Sequence, residues 1–270
     1  MLQLKWKTAL ITGGSRGIGR GIVLKLAESG VKKIAINYLE NTAAANDTLK
    51  QLKERGADGV LIQADISKTD DLKRMFARVQ SDFGGLDVFV HNARPAVGAF
   101  YHSGMDIPLE KWQAAFDSQA KAMLLSCQQC ASLMPHGGRI IAITYAQGSR
   151  TGSWQPWVAM GSAKAALESV VRYFAVLLAK KGITVNSVSP GATDDSVFNT
   201  LPTQVFNAIK GWHESGWTPM GRMGTPADIG NVVALLCTEE AGWVTGQTIY
   251  ADGGGSLMNS DYPLDFQKGG

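Results

Sequence analysis

The sequence is short of cysteine, of charge and of long apolar runs, and each shortage excludes a class of protein. Three cysteines in 270 residues are too few for a disulfide framework. No apolar run approaches the ~20 residues that a membrane-spanning helix needs. Lysine and arginine form no dense block, and the net charge is only +3, which argues against nucleic-acid and membrane partners. We therefore expect a soluble, cytoplasmic protein of a reducing compartment.

Metal and redox chemistry are also poorly supported. The chain has four histidines: His91, His102, His136 and His213. None of them has the spacing to cysteine or carboxylate that a metal site needs, so the sequence predicts no metal. Cys127 and Cys130 have redox spacing but lie within a helical pattern, which favours buried thiols. The first residues show no signal-peptide pattern, and we expect none.

Short apolar runs alternate with helical patterns along the whole chain. The predicted strands are Thr8–Ile11, Lys33–Asn37, Val60–Gln63, Val88–His91, Arg139–Thr144, Thr184–Val188 and Thr248–Ala251. The predicted helices are Gly17–Ser29, Thr42–Arg55, Asp70–Phe83, Leu109–Leu133, Gly161–Lys180 and Pro226–Thr238. Strands without polar alternation are typical of a parallel sheet buried on both faces. The pattern predicts a doubly wound α/β fold of the Rossmann type, with about seven strands and helices on both faces. With no linker or repeat, residues 1–270 are predicted to form a single domain.

A glycine-rich turn joins the first predicted strand to the first helix. Its residues are Gly13, Ser15, Arg16, Gly17, Ile18 and Gly19. Glycines there let the chain bend sharply and let a pyrophosphate approach the backbone. The helix that follows presents unpaired N–H groups and its positive dipole end to the phosphates. The turn predicts a dinucleotide site.

Two stretches interrupt the alternation, at residues 94–108 and 191–225. Both follow the carboxyl end of a strand, where open α/β sheets hold their ligands. The second stretch is rich in apolar side chains: Phe198, Val205, Phe206, Trp212 and Trp217. It either closes as a lid over an apolar substrate or packs on the body of the protein or on another subunit.

Motifs spread over nearly the whole chain resemble the short-chain dehydrogenase/reductase superfamily. They are Thr12-Gly13-x-x-x-Gly17-x-Gly19, Asp65-Ile66, Asn92-Ala93, Ser162-Ala163-Lys164, Pro190-Gly191, Gly246-Gln247 and Asp252-Gly253-Gly254. The resemblance implies a nicotinamide dinucleotide cofactor and a tetrameric or dimeric assembly, with a homotetramer as the expectation.

The resemblance also assigns cofactor roles to residues outside the glycine turn. Asp65 and Ile66 would bind adenine, and Asn92 with Ala93 would lie beside the cofactor. A further group would hold the nicotinamide amide and phosphates: Pro190, Gly191 and Thr193. Lys164 would bind the nicotinamide ribose.

The residues that end the second strand bear on the choice of cofactor. Asn37 and Tyr38 leave that strand end without the carboxylate that would repel a 2′-phosphate, and Arg16 offers a cation for it. These features favour NADPH. Glu40 stands against that preference and leaves NADH possible.

The catalytic positions depart from the superfamily's pattern. The tyrosine that such proteins place four residues before the lysine is Met160 here, and the serine position holds Tyr145. The helix asparagine is replaced by Gln119, and Arg94 stands where a glycine is usual. The ordinary alcohol-dehydrogenase constellation is absent.

A branch of bacterial enoyl-thioester reductases is similar to this chain in the same region. That branch keeps a tyrosine after the fifth strand, which Tyr145 matches, and places its active tyrosine seven residues before the lysine, where Trp157 stands. The segment Gly148–Trp157 is about two residues longer than is usual in that branch.

The chemistry left by these substitutions favours an enoyl reductase. Methionine cannot donate a proton and an indole N–H is far too weak an acid, so ketone reduction loses its donor. Reduction of an unsaturated thioester needs only hydrogen-bond donors for the enolate oxygen, which Tyr145 and Trp157 offer. With Lys164 these form the predicted catalytic set, acting on an acyl thioester of carrier protein or coenzyme A. Two alternatives remain: a carbonyl reductase in which Tyr145 replaces the usual phenol, and a dinucleotide-binding protein without catalysis.

Overall fold

A computed structural model describes residues 2–96, 98, 101–145, 157–195 and 203–258. In these residues a parallel sheet of seven strands runs in the order β3-β2-β1-β4-β5-β6-β7. The strands are β1 Thr8–Ile11, β2 Lys33–Tyr38, β3 Asp58–Gln63, β4 Val88–His91, β5 Gly138–Ile143, β6 Ile183–Pro190 and β7 Thr248–Ala251. The predicted doubly wound sheet is confirmed, and three strands match to the residue.

The helices follow the prediction closely, with two corrections. They are α1 Gly17–Glu28, α2 Thr42–Glu54, α3 Thr69–Phe83, α4 Leu109–Phe116, α5 Ala122–Leu133, α6 Val158–Leu178, α7 Thr203–Trp212 and α8 Pro226–Leu236. The predicted helix Leu109–Leu133 is interrupted, because Asp117–Lys121 between α4 and α5 is a π-helical turn. The stretch 191–225 was predicted to be irregular, which is wrong for α7. Val205 and Trp212 lie seven residues apart and share one helical face. The helix is too short for this spacing to stand out among the neighbouring glycines.

The core consists of two apolar layers, one on each face of the sheet. Neighbouring residues of β1 point to opposite layers: Leu10 packs with Phe76 and Phe89 under α3 and α5. Ile11 packs on the other face with Leu26 of α1 and Ile229 of α8. Because both faces are covered, side chains that point to either face are apolar, and this is why β1 shows no polar alternation.

No helix among the described residues is long and apolar enough to cross a membrane.

Helices α1 and α8 approach each other through glycine. A Cβ atom on Gly21 would collide with the carbonyl oxygen of Pro226, and one on Gly230 would lie 2.7 Å from the carbonyl oxygen of Gly21. Real Cβ atoms do not tolerate such distances, so this contact depends on the two missing side chains.

Replacing Gly21 with alanine should therefore lower the free energy of unfolding by about 1–3 kcal/mol, because the helices must separate to admit a methyl group. Chemical denaturation measures the change. Gly211→Ala is the matched control, since a Cβ there has no neighbour within 4 Å and an alanine in a helix interior is favourable. Equal loss in both variants would contradict the packing argument.

Candidate active site

The site is built at the carboxyl edge of the sheet, where β1 and β4 lie side by side and the chain winds outward in both directions. Such a switch point is where open α/β sheets bind ligands. The glycine turn after β1 lies here, and Gly13 and Gly17 have positive φ angles of 63° and 53°. A Cβ on Gly13 would lie 2.9 Å from the Cα of Ala93, and one on Gly19 would collide with the carbonyl oxygen of Gly13. The glycines are thus required by close backbone packing as well as by the turn.

The first turn of α1 forms an open cradle for an anion. Arg16, its N-cap residue, is extended, with φ −158° and ψ 174°, and no side chain among the described residues caps the helix. Behind the cradle, the Ser15 carbonyl accepts hydrogen bonds from Arg20 Nη2 at 3.0 Å and Thr48 Oγ1 at 2.7 Å. Ile18 is half-buried beside it. Main-chain N–H groups with the positive helix end fit a pyrophosphate, which is the group that the glycine turn predicted.

Asn37 is fully engaged in holding the glycine turn. Its Oδ1 accepts from Gly13 N at 3.2 Å, while its Nδ2 donates to the carbonyl oxygens of Ile62 and Ala64 at 3.2 and 3.0 Å. The predicted cofactor residue therefore acts on the turn itself. Tyr38, next to it, is buried.

The predicted adenine-binding pair has other contacts in this structure. Asp65 Oδ1 accepts hydrogen bonds from the backbone N–H and the hydroxyl of Ser67 at 3.0 and 2.7 Å. This is the geometry of an Asx turn that precedes α3. Ile66 is 6% exposed and packs in the core layer that includes Met75. Their contact with adenine stays a prediction.

Asn92 ties the loop after β4 to the glycine turn. Its Nδ2 donates to the carbonyl oxygens of Thr12 and Gly13 at 2.9 and 3.2 Å. The backbone N–H groups of Asn92 and Ala93 both donate to Thr12 Oγ1, at 2.9 and 3.0 Å. These bonds place Ala93 against the glycines and fix the floor of the predicted cofactor site.

The end of β6 is the third segment that forms the predicted cofactor site, after the glycine turn and the loop that follows β4. Pro190 is the last residue of the strand, and Gly191 N donates to the carbonyl oxygen of Ala251 at 3.1 Å. Thr193 Oγ1 donates to the Gly191 carbonyl oxygen at 3.0 Å, and Thr193 also bridges Gly224. That bridge closes the base of the stretch 191–225.

The three predicted catalytic residues are brought together between β5 and α6. Lys164 is buried on α6, and its Nζ donates to the carbonyl oxygen of Ile143, the last residue of β5, at 2.5 Å. Tyr145 follows two residues later, and its ring lies 4.9 Å from that of Trp157 at 37°. Trp157 is the residue that precedes α6. Tyr145 is thus two residues along the chain from the carbonyl that anchors the lysine.

Burial sets the protonation of this group. It raises the pKa of Tyr145 to about 12, so the phenol keeps its proton at neutral pH. It also lowers the pKa of Lys164 to about 7, assisted by the Arg94 cation and opposed by Glu168. Glu168 in turn accepts a hydrogen bond from Thr144 Oγ1 at 2.7 Å.

The side chain of Met160 packs in an apolar cluster and is not part of the candidate active site. It is 1% exposed and clusters with Ala115 of α4 and with Ala159 and Ala163 of its own helix. The position that carries a phenol in most of the superfamily is therefore part of the core here.

Two polar residues behind the site were not assigned a role from sequence. Gln119 lies fully buried in the π-helical turn, and its Nε2 donates to the Ala93 carbonyl oxygen at 3.2 Å. Such turns inside helices are frequent at functional sites. His91 ends β4, and burial, aided by the charge of Lys164, lowers its pKa to about 3, so it stays neutral. The signal available beforehand was Gln119 in place of an asparagine.

Arg94 adds a cation at a position where the superfamily usually has glycine. Its guanidinium interacts electrostatically with Asp195, Arg16 and Lys164, and Nη1 donates to the Pro95 carbonyl oxygen at 2.9 Å. Three cations consequently line the cleft from the glycine turn to the lysine. This arrangement favours an anionic ligand.

The two predicted substrate loops are described in part. Phe198 lies outside the described residues, as does the segment between Tyr145 and Trp157. In the second loop the Trp212 and Trp217 rings stack at 5.1 Å and 16°. His213 Nδ1 lies 2.6 Å from Thr218 Oγ1, which joins the end of α7 to the following turn. Both the lid and the packing interpretation remain predictions.

No three histidine, cysteine or carboxylate side chains cluster as a metal site in the part of the chain that the structure describes. Cys127 and Cys130 are free and buried, and burial raises the pKa of both thiols, which confirms the interpretation as buried helical thiols.

The depressed pKa of Lys164 predicts a pH dependence of stability. Between about pH 7 and 10.5 the unfolded lysine binds a proton that the folded one lacks, so the free energy of unfolding rises with pH in this window. The slope contributed is at most about 1.4 kcal/mol per pH unit. Urea denaturation at successive pH values above neutrality should show a flatter dependence in Lys164→Met. The exposed Lys180→Met is the control, and identical slopes in all three proteins would refute the shift.

Known proteins of similar sequence bear on the family to which this chain belongs. The family model described as enoyl-(acyl carrier protein) reductase matches residues 13–256. A 1-cyclohexenylcarbonyl-CoA reductase of Streptomyces collinus is 35% identical over 260 residues, which cover 96% of this chain and 90% of that protein. The 3-oxoacyl-[acyl-carrier-protein] reductase FabG of Staphylococcus aureus is 35% identical over 256 residues, covering 92% of this chain and 97% of that protein.

A solved structure extends the likeness to the fold. The angucycline C-6 ketoreductase LanV with bound NADP superimposes with a TM-score of 0.82 and 32% identity, covering 93% of this chain and 96% of that one. FabG and LanV are named for reduction of a 3-oxo group and a keto group, so these comparisons favour the carbonyl alternative over the enoyl expectation. The family-model match and the similarity along nearly the whole length show that this chain belongs to the short-chain dehydrogenase/reductase superfamily.

Proposed function

We propose that this chain is an NADPH-dependent reductase that transfers hydride to a carbonyl group, with Tyr145 holding the oxygen that becomes charged. The observation that carries the proposal is the half-buried, protonated phenol of Tyr145, two residues after the carbonyl that anchors Lys164 at the end of β5. FabG and LanV are similar in length to this chain, and their names describe the reduction of such groups.

The cofactor follows from the shape and charge of the cleft. NADPH, when bound, supplies the hydride. The glycine turn and the uncapped start of α1 hold its pyrophosphate, and Arg16 is exposed at the position where a 2′-phosphate needs a cation. LanV is a structural neighbour with bound NADP. NADH is possible because Glu40 lies exposed after β2.

Tyr145 supplies the hydrogen bond that strengthens during the reaction. Reduction of a carbonyl group creates an alkoxide, and a fixed donor to such an oxygen is worth roughly 3–4 kcal/mol of barrier. A phenol with a pKa of about 12 is still a donor at neutral pH. The Trp157 ring contacts the Tyr145 ring at 4.9 Å and 37°. Lys164, whose pKa is lowered to about 7, is anchored on the carbonyl oxygen of Ile143, two residues before Tyr145.

Enoyl-thioester reduction is the second candidate, and Met160 is the observation that favours it. With this residue in the core, the usual donor for ketone reduction is missing, whereas an enolate oxygen needs only hydrogen bonds. The S. collinus relative is named for an unsaturated acyl-CoA, and the family model carries an enoyl reductase description. A cofactor-binding protein without catalysis is the remaining alternative.

The partners follow from the same reasoning. The substrate is an acyl thioester on coenzyme A or acyl carrier protein, or a related ketone, and the chain works as one domain in the cytoplasm. Three apolar side chains of α6 are exposed, Tyr173, Val176 and Leu177, at 72%, 79% and 66%. A homotetramer that buries this helix face accounts for their exposure.

Substrate class is decided by NADPH oxidation with matched acyl-CoA pairs. We expect turnover with 3-oxoacyl thioesters or ring ketones, and a fall in kcat of about 10²–10³-fold in Tyr145→Phe through the lost hydrogen bond. The exposed Tyr173→Phe is the control. Turnover of enoyl thioesters alone would select the second candidate, and tight NADPH binding without turnover on either class would select the third.

Cofactor preference is tested at Arg16. Replacing it with alanine removes the cation for the 2′-phosphate, so the Kd for NADPH should rise roughly tenfold, while that for NADH changes little. Fluorescence titration measures both constants, with the exposed Lys32→Ala as control. Equal weakening of both cofactors would show that Arg16 does not read the phosphate.

A further inference from the structure

The loop after β4 returns to the catalytic group at one point. His102 forms a parallel β-bridge with Trp157, the residue that stacks on Tyr145. Two residues on, a Cβ on Gly104 would lie 3.8 Å from Val158 Cγ1, so the loop packs on the start of α6. His102 therefore lies next to Trp157 at the start of α6, close to the Tyr145–Trp157 ring pair.

The imidazole of His102 has an unused polar atom. Nε2 is shielded from solvent and has no hydrogen-bond partner among the residues that the structure describes. Buried polar atoms are nearly always paired in folded proteins, and the exceptions often mark places where a ligand or water completes the bond. The bridge to Trp157 fixes the backbone of His102 beside this aromatic pair.

The proposed reaction lacks an acid that can be recharged at neutral pH. Met160 cannot donate a proton, and the indole of Trp157 is far too weak an acid. Tyr145, with a pKa of about 12, is suited to hold a hydrogen bond rather than to exchange its proton with solvent. Imidazole is the side chain whose ordinary titration falls near neutrality, which makes it the usual general acid in enzymes.

We propose that His102 is the catalytic acid of this site and that its Nε2–H protonates the substrate oxygen that Tyr145 holds. This inference rests on the proposed function. As the hydride's electron pair forms the new C–H bond, the carbonyl π pair moves to oxygen. The Nε2–H bond of the imidazolium then breaks and leaves its electron pair on the ring, which becomes neutral imidazole, while the O–H bond forms; solvent afterwards returns a proton to the ring.

The elements that meet at His102 carry other titratable groups. Tyr101 and Asp106 lie on the same loop, Tyr145 follows β5, and Lys164 lies on α6. A pH profile therefore has to be compared between variants that keep these four groups.

The experiment is the steady-state kinetics of His102→Gln over the pH range from 6 to about 9, on whichever carbonyl or enoyl substrate the wild type reduces. We expect kcat to fall about 10²-fold in the variant, and we expect the wild type to lose activity toward high pH where the variant does not. The Kd for NADPH should stay within twofold, which shows that the variant is folded. His136→Gln, at an exposed position, is the matched control and should resemble the wild type.

Each outcome bears on one proposal. An active wild type with a His102→Gln variant that keeps its kcat and its pH profile overturns the role of His102 and leaves the proposed function standing. A lower kcat with an unchanged pH profile also overturns it, because a residue that only shapes the pocket would behave in that way. A wild type inactive on every ketone and enoyl thioester overturns the proposed function, and the inference with it.

Discussion

The contact on which the rest of the site depends is the hydrogen-bonded junction between the glycine turn and the loop after β4. Asn92 and the backbone of Ala93 bond to Thr12 and Gly13, and the absence of a Cβ on Gly13 lets Ala93 approach. Two loops that face water would each be mobile alone. Joined in this way, they form the fixed surface on which a dinucleotide can lie, with Arg94 directly after Ala93.

A second constraint is the charge of the cleft. Lys164, Arg94 and Arg16 interact across it, with Asp195 and Glu168 as the partly compensating acids. Burial lowers the pKa values of Lys164 and Arg94, and repulsion from neighbouring cations lowers them further. A polyanionic cofactor would relieve that repulsion, so binding and the charge state of the lysine are coupled. These charged residues are present although Met160 replaces the superfamily's usual tyrosine.

Much of the fold could be predicted because the relevant signals are local. The apolar runs of β1, β4 and β7 end where glycine, asparagine and aspartate begin, and their bounds agree with the structure. The prediction ended β6 at Val188 and missed Ser189 and Pro190, since these look like loop residues. Ser187 Oγ lies 2.7 Å from Thr248 Oγ1 of β7, so the strand is continued by a partner that lies sixty-one residues away. The π-helical turn around Gln119 was missed for a similar reason, because no local pattern distinguishes it from α-helix.

The sequence by itself determined the order of strands and helices, the glycine turn and the residue types that replace the superfamily's catalytic set, because periodicity and motif spacing are properties of neighbouring residues. Only the tertiary structure decided which of those residues meet. It put Met160 into the core, engaged Asn37 in the turn, and brought His102 to Trp157. The physical reason is that burial, pKa and hydrogen-bond partners are set by elements packed from distant parts of the chain, and a sequence pattern carries no record of which distant side chain fills a given space.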